Sequence, residues 1–191
     1  MSFQQDKANA LRKPDKSRKG SIDTSIKPLL KLINSHRDYF TTSSCAGRTV
    51  LIHLFGPKKN QAKWLFKTHS KVTPEQLYNA MAGFKAKQGV VWLKFEPFIL
   101  HVRCNGLQPA IKLLKIARDS GLKKSGIIAA GQSYVVEIEG IDRLETPVFK
   151  RALLVDKDYL KQLAQEINKK YMNNKKRVGV FFEQLQHLLH G

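Results

Sequence analysis

Two stretches carry the side chains with the most chemical reach. The first, "YFTTSSCAGR", Tyr39 to Arg48, gathers hydroxyls at Thr41, Thr42, Ser43 and Ser44, a thiol at Cys45, a permissive Gly47 and a guanidinium at Arg48. Hydroxyls beside a planar donor fork suit the binding of an anion, a carboxylate or a phosphate. The same residue types are turn formers, so a plain loop between helix and strand is the competing reading. Cys45 could serve as a thiolate nucleophile with His53, His69 or His101 as its base. No cysteine-protease signature surrounds it, however, and a lone cysteine is more often a small buried hydrophobe.

The second stretch is "VVWLKFEPFILHVRC", Val90 to Cys104. Val91, Leu93 and Phe95 are apolar at odd positions, whereas Phe98, Leu100, Val102 and Cys104 are apolar at even ones. A strand's two-residue period changes parity only at a turn or bulge, and Pro97, which lacks a ladder donor, marks the place. The opposite side then collects Trp92, Lys94, Glu96, His101 and Arg103, expected on one sheet surface. That surface is either the ordinary wet face of a half-buried sheet or a functional one, and the pattern alone does not choose.

The elements that hold these residues follow from periodicity. "SIDTSIKPLLKLINSH" reads as a helix that begins late, because Pro28 is tolerated only in a first turn. "TVLIHLF" and "AKWLFKTH" form a hairpin across "GPKKNQ". In "TPEQLYNAMAGFKAK", Thr73 as cap, Pro74 at the first helical position and Glu75 near the positive dipole end mark a helix start. "LQPAIKLLKIARDSG" is an amphipathic helix closed by Gly121. "SGIIAAG", "SYVVEIEG" and "ALLV" read as short strands, and the segment from "DKDYL" to "HLLH" as a long helix, with Asn173, Asn174 and Gly179 as candidate breaks. Short turns between strands imply antiparallel pairing, hence an α+β fold with a mostly antiparallel or mixed sheet. The succession helix, three strands, helix recurs, which suggests a duplicated unit: lobes 21–90 and 105–191 around a central segment 90–104, within one catalytic domain 21–191.

The 191 residues suffice for one sizeable core, and 34 Lys plus Arg against 15 Asp plus Glu leave a net charge of +19. Such an excess is tolerated most readily when a polyanion releases counterions on binding, which makes nucleic acid the leading partner. Residues 1–20 are polar and basic, and are expected to be a mobile arm. No run of about 18 apolar residues could cross a bilayer, and the N-terminus lacks the apolar core of a secretory signal, so a cytoplasmic protein is expected. Cys45 and Cys104 offer neither a disulfide framework nor paired metal-ligand spacing, and no metal is expected. G-x-G-x-x-G after a strand, the P-loop, H-E-x-x-H and G-x-S-x-G are all absent.

Taken in order, "DKSRKGSID", "IN", "YFTTSSCAGR", "LKFEPFILHVRC", "DSGLKKSGI" and "NKKR" resemble the successive motifs of the wybutosine-synthesising protein 3 family of tRNA N4-methyltransferases. The resemblance runs from about Asp15 into the C-terminal helix. It implies a fold other than the Rossmann-type methyltransferase. It also implies that S-adenosylmethionine donates a methyl group to N4 of a tricyclic guanosine derivative at position 37 of phenylalanine tRNA. Given that chemistry, Asp23, Glu96 and His101 are the candidates for taking the acceptor's proton. Ser43, Ser44, Cys45, Gly47, Arg48, Ser125 and Gly126 are the expected cofactor contacts, with Arg48 gripping a carboxylate of the donor or the substrate. Lys94 and Arg103 would border the substrate. The basic arm from Lys7 to Lys19, with Lys175, Lys176 and Arg177, would hold the anticodon stem-loop by its phosphates, or else be solvated charge. A non-catalytic RNA-binding module on the same scaffold is the alternative.

Overall fold

Strand alternation and helical periodicity shape the chain as a computed structural model, which describes residues 2–12, 23–58, 60–85 and 87–190. The α-helices are α1 (Phe3–Arg12), α2 (Lys27–Ser35), α3 (Pro74–Met81), α4 (Leu107–Asp119) and α5 (Lys157–His190). The strands are β1 (Tyr39–Cys45), β2 (Arg48–Leu54), β3 (Ala62–Thr68), β4 (Val90–Glu96), β5 (Ile99–Cys104), β6 (Gly126–Ala129), β7 (Tyr134–Glu139), β8 (Leu144–Lys150) and β9 (Ala152–Leu153). They form a four-stranded sheet ordered β1-β5-β7-β6 and a five-stranded sheet ordered β3-β2-β4-β8-β9. Every pairing is antiparallel, which gives the expected α+β class.

The two sheets belong to two units, and the units interleave along the chain. One comprises Met1–Ala46, Phe98–Ile141 and Lys175–Gly191, the other Gly47–Pro97 and Asp142–Asn174. The expected lobes 21–90 and 105–191 are therefore not the structural units. The parity change at Pro97 is real, but its cause is a change of sheet: Val91, Leu93 and Phe95 enter one core, Leu100, Val102 and Cys104 another. Consequently Trp92, Lys94 and Glu96 do not share a sheet surface with His101 and Arg103.

In the first unit, α2, α4 and the later part of α5 cover one face of the four-stranded sheet. Ile33, Leu100, Val102, Leu113, Val136, Ile138, Phe181 and Leu185 make that core. Pro28 lies in the first turn of α2, so the helix begins late for the expected reason. Gly121 ends α4 at φ +86°, a conformation that L side chains rarely adopt, and Arg177 packs beside it. The expected mobile arm is in part a docked helix: the ring of Phe3 lies 5.2 Å from that of Phe40, and Lys7 Nζ donates to the carbonyl of His36 at 2.6 Å. Residues 13–20 of that arm, Lys19 included, lie outside the described residues.

In the second unit, Leu51, Leu77, Leu93, Phe95, Val148, Leu163 and Ile167 form the core beneath α3 and the first part of α5. Thr73 and Gln76 close a capping box at the start of α3. The strand β8 covers "LETPVFK", a stretch the sequence reading does not assign, and contains Pro147. Phe149 opposes Val91 while Pro147 opposes Trp92, so Val148 is an extra residue and the proline sits at a bulge, where a missing donor is tolerated. α5 does not break at Asn173, Asn174 or Gly179. A mid-helix glycine costs about 1 kcal/mol, which a continuous buried stripe outweighs. Among the described residues, no helix is long and apolar enough to cross a membrane.

Candidate active site

The face of the four-stranded sheet opposite its core, which α1 covers at its Phe40 and Arg103 end, is built by register. Tyr39, Phe40 and Thr41 oppose Cys104, Arg103 and Val102, whereas Ser43 opposes His101, so Thr42 is an inserted residue. Without it Thr42, not Ser43, would share a face with His101; the bulge re-aims the strand. On the other side of β5, Glu137 of β7 opposes His101. The three side chains join: Ser43 Oγ lies 2.8 Å from His101 Nδ1, and His101 Nε2 lies 2.7 Å from Glu137 Oε2. A carboxylate on Nε2 selects the tautomer with the proton there, leaving Nδ1 as acceptor for the hydroxyl of Ser43. That is the polarity a general base requires, with a carboxylate ready to stabilise the imidazolium.

The remaining expected residues of this unit have other partners. Asp23 Oδ2 accepts the Ala46 N–H at 3.2 Å, where β1 ends. Ser44 opposes Leu100 on the side facing the core, and half-buried Cys45 opposes Ile99 on the side of Ser43 and His101. Arg103 Nη2 pairs with Asp6 of α1 at 2.8 Å, and its guanidinium lies 5.8 Å from the Phe40 ring centre. Ser125 is buried; its hydroxyl donates to Leu122 O at 2.7 Å and accepts from Glu139 N at 3.1 Å. Those bonds tie β7 to the end of α4, and we leave Ser125 out of the cofactor contacts. Gly126 opposes Glu137. Lys175 and Lys176 are exposed on α5, and Arg177 is half-buried against Gly121.

In the second unit, Gly47 adopts φ +94° directly before Arg48, the backbone freedom the motif's glycine supplies. "YFTTSSCAGR" is thus not a loop but the length of β1, a two-residue break and the first residue of β2. Arg48 opposes Glu96 across β2 and β4, and Arg48 Nε donates to Glu96 Oε2 at 2.5 Å. The same guanidinium lies 4.9 Å from the ring centre of Trp64. His69 Nδ1 donates to the carbonyl of Gly47 at 2.8 Å. Lys94 pairs with Glu145 at 2.5 Å and lies 5.8 Å from the Trp92 ring centre. Of the three candidate bases, Glu96 is engaged by a guanidinium and Asp23 by a backbone amide, while His101 has a hydroxyl on one ring nitrogen and a carboxylate on the other.

Glu137 was missed by the sequence reading. Its signal was present: in "SYVVEIEG" Val136 and Ile138 are core positions, so Glu137 must face the other way. What the sequence could not supply was its register with His101. Cys104 is unsuited to thiolate chemistry, because burial, aided by the charge of Asp38, pushes its thiol up to about 12.

Two antiparallel sheets with packed helices and, among the described residues, no glycine-rich strand-to-helix turn define an α+β fold apart from the Rossmann-type methyltransferases. The family profile described as "Methyltransferase TYW3" matches residues 5–187. The mouse protein called "tRNA wybutosine-synthesizing protein 3 homolog" is 40% identical over 189 residues, spanning 96% of this chain and 72% of that one. A Pyrococcus abyssi relative, "tRNA(Phe) 7-((3-amino-3-carboxypropyl)-4-demethylwyosine(37)-N(4))-methyltransferase 1", is 36% identical over 90% of this chain and 89% of its own. Among solved structures, the PH1069 protein of Pyrococcus horikoshii superposes with a TM-score of 0.87 at 31% identity, covering 96% of both chains. The chain belongs to the tRNA wybutosine-synthesising protein 3 family. Its activity is that of an S-adenosylmethionine-dependent methyltransferase that modifies tRNA, so the non-catalytic alternative is set aside.

Proposed function

We propose that the chain methylates N4 of the tricyclic wybutosine precursor at position 37 of phenylalanine tRNA, in the cytoplasm. The observation that carries the chemistry is the array Ser43–His101–Glu137, and the Pyrococcus abyssi relative supports the position and the atom. S-adenosylmethionine, when bound, supplies an electrophilic methyl group. The acceptor nitrogen must give up its proton as it gains that methyl. Ser43 Oγ accepts this proton while passing its own to His101 Nδ1, and Glu137 stabilises the imidazolium that results.

Arg48 we assign to the carboxylate of an amino-acid side chain, of the donor or of the substituted base. The donor set fits such a group. Glu96 occupies Nε of the guanidinium, and arginine has five donors in a fixed fork. The carboxylate of Glu96 also suits a sulfonium cation. Ser44, Cys45 and Gly47 are proposed as neighbouring cofactor contacts, and Lys94, Arg103, Lys175, Lys176 and Arg177 as contacts to RNA.

The test is incubation with tRNA from a strain lacking this protein, read by nucleoside mass spectrometry. The expected product is the tricyclic base one methyl heavier, with the methyl on N4. A methyl group on another atom or nucleoside would overturn the assignment.

A further inference from the structure

Trp64 is turned out of a core by an irregularity of its strand. On β3, Phe66 opposes Leu51 and Trp64 opposes Ile52, so Leu65 is an inserted residue. In a regular strand Trp64 would share the face of Phe66, which packs against the second unit's core. The bulge places it instead on the face that carries Arg48, and that face's guanidinium lies 4.9 Å from the indole centre. Trp64 remains 39% exposed. A tryptophan delivered by a bulge to a surface forgoes much of the burial that would justify its size. β3 is the edge strand of the five-stranded sheet; along it exposed Lys67 opposes Val50 on the face of Trp64, while exposed Lys63 opposes His53 on the other face.

We propose that Trp64 is a stacking platform for an unpaired base of the RNA substrate, with Lys67, on the same face, holding an adjoining phosphate. The proposal rests on the RNA-methylation reading. An aromatic face beside a cation along an extended strand is the arrangement that grips single-stranded nucleic acid whatever its sequence. The charges choose between the two purine sources. The methyl donor carries a net positive charge and no phosphate, whereas a looped-out RNA base brings a phosphate that a lysine on the same face can hold.

The test uses the full chain with an anticodon stem-loop RNA hairpin and, separately, S-adenosylhomocysteine. Trp64 and Trp92 are the two tryptophans, so W92F leaves Trp64 as the sole indole emitter, and the hairpin should quench it. W64A should weaken hairpin binding by about 5- to 150-fold, the range for loss of one base–aromatic stack. W64F, which keeps a smaller ring and guards against misfolding, should recover most of that loss. K67A should reduce the slope of log K against log salt by about 0.7, and K63A, on the other face, by less. Calorimetric affinity for S-adenosylhomocysteine should be unchanged in W64F and W64A. Unquenched emission with hairpin affinity unaltered in W64A overturns the proposal, and so does a loss confined to S-adenosylhomocysteine. If the wild-type chain meanwhile methylates position 37, the proposed function survives that result. If it methylates elsewhere but W64A loses hairpin binding, the stacking site survives instead.

Discussion

Ser43 and His101 are hydrogen-bonded across β1 and β5, with Oγ 2.8 Å from Nδ1, because Thr42 is inserted into the first strand. The contact turns two motifs distant in sequence into one proton-handling unit. Its third member, Glu137, fixes the tautomer by accepting from Nε2.

H101Q should lower kcat by about 10²–10⁴, the usual contribution of a positioned base. A base must be unprotonated to act, so H101Q should change the shape of the pH–rate profile. E137Q can donate to Nε2 and so select the wrong tautomer, with a loss approaching that of H101Q. S43A combined with H101Q should be far from additive, since the two residues hand on one proton. A pH–rate profile unaltered by H101Q would remove the histidine from the reaction.

R48A should lower turnover by orders of magnitude with the fold intact. Arg48 and Glu96 are part-exposed, with side-chain exposures of 30% and 35%. Such pairs contribute about 0–1 kcal/mol to stability, so near-normal melting is expected. R48K should rescue little, because an ammonium cannot hold Glu96 and a second carboxylate in one plane. Single-turnover rates near wild type in R48A would exclude Arg48 from the site.

At pH 8, iodoacetamide should modify one of the two thiols of the native chain. Cys45 is half-exposed, and Cys104 is buried, with its thiol pushed up to about 12. Thiolate is the nucleophile, so Cys104 should react only after denaturation. Burial also raises the Tyr39 phenol, whose O–H donates to the carbonyl of Pro109 at 3.1 Å. Both groups hold their protons longer folded than unfolded. Their contribution to stability is therefore complete below about pH 8.5 and is lost progressively as pH climbs past it. Equal labelling of both thiols in the native protein would contradict this placement.

Local rules made the fold class legible. The cap at Thr73, the first-turn Pro28 and the Gly121 terminus all act within a few residues of where they are read, and all three elements lie where expected. The expectations that failed concern register and long-range pairing. Strict alternation assigns Thr42 and Leu65 to the wrong faces, because a bulge is specified by the partner strand and not by the bulged one. Pro97 showed a parity change, but a change of sheet and a kink within one sheet have the same alternation. Glu137 lies 36 residues from His101, and no periodicity carries a cross-strand partner over that distance. Asn174 and Gly179 look like breaks only while the buried stripe on both sides of them goes uncounted.

Thr49 carries a stability prediction independent of chemistry. It is 1% exposed on β2, and its hydroxyl is the one buried side-chain polar atom among the described residues without a hydrogen-bond partner. It lies between Phe95 of β4 and Thr68 of β3 in register. An unpaired buried hydroxyl costs about 1–3 kcal/mol relative to solvation in the unfolded chain. Valine has nearly the same shape and an equal preference for strands. T49V should therefore raise the urea midpoint, by an amount equivalent to about 1 kcal/mol, with the slope unchanged. T49S keeps the orphan hydroxyl and removes a buried methyl, so it should lower the midpoint. The two variants separate the polar cost from packing, since a hydroxyl with a partner in solution would make T49V destabilising as well.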